Sequence, residues 1–111
     1  MAIEINENNF GEMVLRSSLP VVLEFYSNFC KYCVVFKPTF AELAKEYEGK
    51  VRFATINYDS NKDLALKLNM QEGLVPAFYL IKDGDVLDRW YGTKDGKNTV
   101  KKLINDRLSI Y

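Results

Sequence analysis

Two cysteines, Cys30 and Cys33, are the only thiols in this chain, and Lys31 and Tyr32 alone separate them. Thiols one helical turn apart suit thiol-disulfide exchange, in which one thiolate attacks and a second thiol displaces the product. The attacking thiol has to ionise near neutral pH. A helix N-terminus helps, because its unpaired N–H groups and the positive end of its dipole stabilise the anion. Cys30 is placed for that role at the start of a helix. Cys33, one turn further in and on the apolar stripe, is placed to resolve, displacing the reduced client and closing a bridge to Cys30. It must first lose a proton, and the chain contains no histidine to take it. The candidate base is Glu24, a carboxylate inside an apolar strand just upstream, where desolvation raises a carboxyl's pKa toward the working range. These residue types leave other readings open: thiols packed as small hydrophobes, a structural disulfide, a metal or iron-sulfur cluster shared between two chains, and a salt-bridged structural role for Glu24.

The elements that hold these groups are legible in the periodicity. Ile3 and Ile5 mark a short strand ending at Asn6, a good N-cap, and Phe10, Val14 and Leu15 then recur at helical spacing. Pro20 closes a loop. Val21 to Tyr26 is a β-branched and aromatic run suited to a strand buried on both faces, interrupted by Glu24. Cys33, Phe36, Phe40, Leu43 and Tyr47 step by three and four residues, the stripe of an amphipathic helix with Cys30 in its first turn. Pro38 inside it predicts a kink and Gly49 its end. Val51 to Asn57 is the next strand, and Asn61 or Ser60 caps a helix carrying Leu64, Ala65 and Leu68. Pro76 introduces a strand from Ala77 to Ile81, Asp83-Gly84 a turn, and Val86 to Tyr91 its antiparallel partner. After Gly92, Val100, Leu103, Ile104, Arg107 and Leu108 define a closing helix capped by Asp95. Alternating elements followed by a hairpin predict an α/β fold with a mixed central sheet and helices on both faces.

Composition narrows the function further. The 111 residues predict one domain, 1–111, and 48% hydrophobic with 27% charged residues is an ordinary globular balance. Lys plus Arg equals Asp plus Glu at 15 each, so there is no electrostatic motive to bind nucleic acid or an anionic membrane surface. The absence of histidine excludes imidazole catalysis, and two thiols alone leave a tetrahedral zinc ion short of ligands. Cysteines three positions apart cannot staple a secreted multi-bridge scaffold. Met1 to Asn6 shows no basic leader before an apolar run, and no stretch approaches a membrane span, so the expected compartment is the cytoplasm.

Taken in order along the chain, several spaced features resemble the thioredoxin family. They are Glu24-Phe25-Tyr26, Phe29-Cys30-Lys31-Tyr32-Cys33, Pro38, Asn57-Tyr58-Asp59, Val75-Pro76, Gly84 and Gly92. The resemblance implies a five-stranded thioredoxin fold, βαβαβαββα, with dithiol/disulfide oxidoreductase activity and no cofactor beyond the Cys30-Cys33 disulfide. It implies that Pro76 is a cis-proline facing the cysteines, that Val75 offers backbone hydrogen bonds to an extended client, and that Phe29, Val75 and Gly92 line the client groove. Implied partners are disulfide-bearing client proteins and a separate thioredoxin-reductase-type electron donor, and the chain is expected to be a monomer. An oxidase or isomerase of protein disulfides, and a non-catalytic thioredoxin-like binding module, are the competing functions. The departures fall at the site: Lys31-Tyr32 where reducing members usually carry Gly-Pro, Glu24 where an aspartate is common, Tyr26 for a tryptophan, and Thr55 for a lysine beside the acid. Lys31 and Tyr32 are therefore the expected redox-tuning positions. A cation beside Cys30 favours the thiolate, which stabilises the reduced form and raises the potential.

Overall fold

The structure is a computed structural model that describes residues 2–111. Five strands form one sheet: β1 (Ile3–Ile5), β2 (Val21–Tyr26), β3 (Arg52–Asn57), β4 (Ala77–Lys82) and β5 (Asp85–Tyr91), in the order β1-β3-β2-β4-β5. β1, β3 and β2 run parallel, while β4 is antiparallel to β2 and β5 to β4. This is the expected mixed five-stranded sheet, and β2, the apolar run that carries Glu24, is its central strand.

Because side chains alternate along a strand, β2 feeds two cores. Val21, Leu23 and Phe25 pack with Ile5, Ala54, Ile56, Tyr79 and, from the helical side, Val14, Leu64 and Ala65. Val22 packs on the opposite face with Phe53, Phe78 and Leu80 against two helices, α1 (Lys31–Glu46) and α3 (Gly96–Leu108). Leu64 and Ala65 belong to α2 (Lys62–Lys67), so helices cover both faces of the sheet. The α1 core is aromatic. Phe36 meets Phe78 edge to face at 5.6 Å, Phe40 meets Phe53 at 5.2 Å, and Trp90 stacks on Phe78 at 5.4 Å. Such pairs are worth about 0.5–1.5 kcal/mol each beyond the area they bury. They fix α1, and with it the helix N-terminus that holds the cysteines.

Pro38 stands inside α1 without ending it. Its missing N–H falls on the exposed side, where water can satisfy the Val34 carbonyl that a helical N–H would have met. Gly96 marks where α3 approaches α1. A Cβ built there would lie 2.5 Å from Cε1 of Phe36, a buried ring held by Phe40 and Phe78. Gly96→Ala gains helix propensity worth up to about 1 kcal/mol, but the overpacking outweighs it. Net destabilisation of about 1–2 kcal/mol is expected in chemical denaturation.

Three local expectations are corrected. The helix expected after Asn6 is a single π-helical turn, Gly11–Leu15. The Asn6 side chain instead accepts the N–H groups of Asn8 and Asn9, capping the turn before it, and Leu15 is exposed. Asn61 precedes α2, but its side chain donates to the Asn57 carbonyl rather than capping the helix. Asp95 precedes α3 in a left-handed conformation, φ 50°, with no side-chain cap. The Thr99 hydroxyl bonds to the Lys94 carbonyl there, and the Thr99 N–H to the Asp95 carbonyl.

Candidate active site

β2 ends where β4 begins and β5 ends, so the loop after Tyr26, the Val75-Pro76 step and Gly92 share one end of the sheet. Cys30 is the N-cap of α1, one position before the first turn expected for it. Its backbone is extended, and its sulfur accepts the Cys33 N–H at 3.1 Å. That contact places the sulfur at the unpaired amide end of a 16-residue helix, where a developing thiolate is stabilised. The two cysteines form a disulfide with Cα atoms 5.2 Å apart. Cys30 is 9% exposed and Cys33 5%, so the expected difference in burial is small. What separates the two thiols is their surroundings. Cys33, not Cys30, lines a crevice of about 280 Å³ together with Glu24, Tyr26, Thr55 and Lys37.

Glu24 is 3% exposed in the centre of the sheet, between Thr55 of β3 and Phe78 of β4. Burial pushes its pKa from 4.5 up to about 7. Thr55 stands beside it where the resemblance implies a lysine; the cation that lines the crevice is Lys37, exposed on α1. The carboxyl therefore changes charge near neutral pH within the same crevice as Cys33.

The Val75-Pro76 peptide bond is cis. The Pro76 carbonyl accepts the Gly92 N–H at 2.9 Å, and Gly92 has φ +81° with open space where a Cβ would be. The Val75 N–H already donates to the Gly73 carbonyl at 3.1 Å. Of the backbone groups expected to meet a client, Val75 therefore has its carbonyl left to offer. Phe29 is 94% exposed, and Lys31 and Tyr32 are exposed beside it at the start of α1.

Two groups of site residues escaped the sequence reading. The loop before Cys30 is braced by the Ser27 hydroxyl, which donates to Asp59 at 2.7 Å and accepts the Phe29 N–H, and by Asn57, which donates to Asn28. The Asn57-Tyr58-Asp59 run was the visible signal, without a role attached. Glu4 is the second: its carboxylate lines the crevice and accepts from Tyr26 and Thr55. Its only signal was a charged residue between Ile3 and Ile5 in an otherwise apolar strand.

The family model described as Thioredoxin matches residues 1–106. Relatives of this chain include a thioredoxin of Rickettsia bellii (strain RML369-C), 31% identical over 108 residues, covering 97% of this chain and 100% of the relative. A thioredoxin of Chlorobaculum thiosulfatiphilum is 30% identical over 105 residues, covering 95% and 94%. Thioredoxin C-2 of Corynebacterium nephridii is 32% identical over 90 residues, covering 81% and 82%.

Proposed function

The chain belongs to the thioredoxin family and is a thiol-disulfide oxidoreductase; from that premise we propose that it reduces disulfides of client proteins, with Cys30 attacking, Cys33 resolving and Glu24 taking the resolving proton. The observation that carries this reading is Cys30 at the N-cap of α1, its sulfur already accepting an amide hydrogen bond. In the reduced enzyme the Cys30 thiolate attacks one client sulfur. The client S–S bond breaks, the other client sulfur leaves as a thiolate and takes a proton from solvent, and a mixed disulfide forms. Cys33 then gives its proton to the Glu24 carboxylate and attacks the Cys30 sulfur. The Cys30-Cys33 bridge closes, and the second client sulfur leaves and is protonated. The client gains two electrons and two protons, and the disulfide seen here is the oxidised product.

The client lies across the end of the sheet formed by Phe29, Val75, Pro76 and Gly92, with the Val75 carbonyl available to its backbone. The cis-peptide geometry and the open space at Gly92 support this path. Because each turnover leaves the enzyme oxidised, a separate reductase must return two electrons. The redox group is the disulfide itself, with no added cofactor. A reducing role of this kind operates in the cytoplasm, where thiols are kept reduced. The test is turnover of a disulfide-linked protein with a chemical dithiol as electron source, scored as new client thiols. A rate no higher than the dithiol alone contradicts the reading.

One observation favours the oxidising direction. Lys31, the first residue of α1, sits next to Cys30 with its side chain exposed. A cation there stabilises the thiolate and hence the dithiol form, so the potential is expected above the roughly −270 mV of an ordinary thioredoxin. Lys31→Gly should lower it by about 10–20 mV, the scale of an exposed charge interaction. Equilibration in glutathione buffers measures both, and a variant that does not become more reducing removes the argument.

A further inference from the structure

The crevice that joins Cys33 to Glu24 contains a second carboxylate that no step above uses. Glu4 of β1 pairs with Thr55 of β3, and Thr55 pairs with Glu24 of β2, so the three form one row across the sheet face that α1 covers. With neighbouring strands about 4.8 Å apart, one strand separates the two acids. Glu4 is an exposed residue but not a freely swinging one. The Tyr26 hydroxyl donates to its Oε2 at 2.9 Å and the Thr55 hydroxyl to its Oε1 at 2.8 Å. Both oxygens accept, from hydroxyls on two different strands, so the charge is fixed in place.

We propose that Glu4 is a positioning residue for the resolving step: its fixed negative charge, across Thr55 from Glu24, opposes formation of the Glu24 carboxylate and moves deprotonation of Cys33 to higher pH. The proposal rests on the reading that Glu24 takes the Cys33 proton. The groups facing Glu24 are few. β1 supplies Glu4, β2 Tyr26, β3 Thr55, and α1 supplies Cys33 and Lys37, while β4 contributes the apolar Phe78. Burial, and then its hydrogen bond to Glu4, push the Tyr26 hydroxyl up, so it stays a donor and adds no charge. Lys37 acts in the opposite sense, but it is exposed, untethered and screened by solvent, whereas Glu4 is held at a set distance. Glu4 is the carboxylate held in one row with Glu24, and like charges disfavour ionisation of the less solvated partner.

The test is a single turnover of the reduced protein with 5,5′-dithiobis(2-nitrobenzoate), followed over pH. The first coloured thiolate reports attack by Cys30 and the second reports resolution by Cys33. Glu4→Gln should move the acid limb of the second phase to lower pH by about half a unit, making that phase about two- to threefold faster at pH 6. Glu4→Lys should move it further in the same direction. The first phase should be unchanged, and Glu42→Gln, an exposed carboxylate elsewhere on α1, should move neither phase. A limb that disappears in Glu24→Gln but stays in place in both Glu4 variants overturns the role of Glu4 alone. A limb that persists in Glu24→Gln overturns the base assignment, and the role of Glu4 falls with it.

Discussion

Glu24→Gln is expected to stabilise the fold at pH 8 by about 2–3 kcal/mol while slowing the resolving step by about 10²-fold. Both effects have one source, a carboxyl held in the central strand with burial as the cause of its raised pKa. The rise from 4.5 to about 7 is worth about 3 kcal/mol at about 1.4 kcal/mol per pH unit. Its sign follows from which state ionises first. Below about pH 4.5 the carboxyl is neutral in both states and costs nothing. Between 4.5 and 7 the unfolded chain releases the proton and the folded chain keeps it, so stability falls as pH rises. Above pH 7 the full cost is present. Glutamine never ionises, so the gap between variant and parent should open across that window and close near pH 4.5. Part of the gain is lost because a buried amide needs partners of its own. Urea titrations at several pH values measure it, and a gap independent of pH would mean that Glu24 is not ionising inside the fold. A variant that is more stable yet slower separates the chemical role of this acid from any structural one.

Serine at either cysteine should reduce catalytic turnover of client disulfides to background, but at different steps. Cys30→Ser removes the thiol at the helix N-terminus, so no client is engaged. Cys33→Ser leaves that attack intact and removes the displacement that follows it, so one client is taken per enzyme and held. The distinction follows from position: the Cys30 sulfur accepts the Cys33 N–H at the end of α1, while Cys33 opens onto the crevice with Glu24. Mixing Cys33→Ser with a disulfide-linked protein should give close to one covalent adduct per enzyme, and Cys30→Ser should give none. A non-catalytic binding module predicts the opposite pattern, in which Cys30→Ser keeps the protein's function and neither variant traps a client.

What could be read before the fold was known is what short-range pattern encodes. The cysteine spacing, the stripe from Cys33 to Tyr47 and the apolar run around Glu24 are contiguous in sequence, and each names its element and its face. Glu24 stood out as a candidate base because a carboxylate in a strand buried on both sides contradicts its surroundings. Glu4 was not, because its meaning lies in register. Only when β1 pairs with β3, and β3 with β2, do residues 4, 55 and 24 come into one row. The Ser27-Asp59 brace was hidden for the same reason, joining positions 32 apart. The first helix failed differently. Phe10 and Val14 have helical spacing, but the segment closes as one π-helical turn before the chain enters β2. At Asn61 and Asp95 the residue type fits a cap, yet the side chain makes no cap hydrogen bond.

The most direct test of the division of labour between the two thiols is to capture the Cys33→Ser adduct with a client and map the sulfur that carries it by peptide mass spectrometry. The geometry predicts the client on Cys30, released by added dithiol. A reciprocal Cys30→Ser variant that captures the client on Cys33 would contradict it.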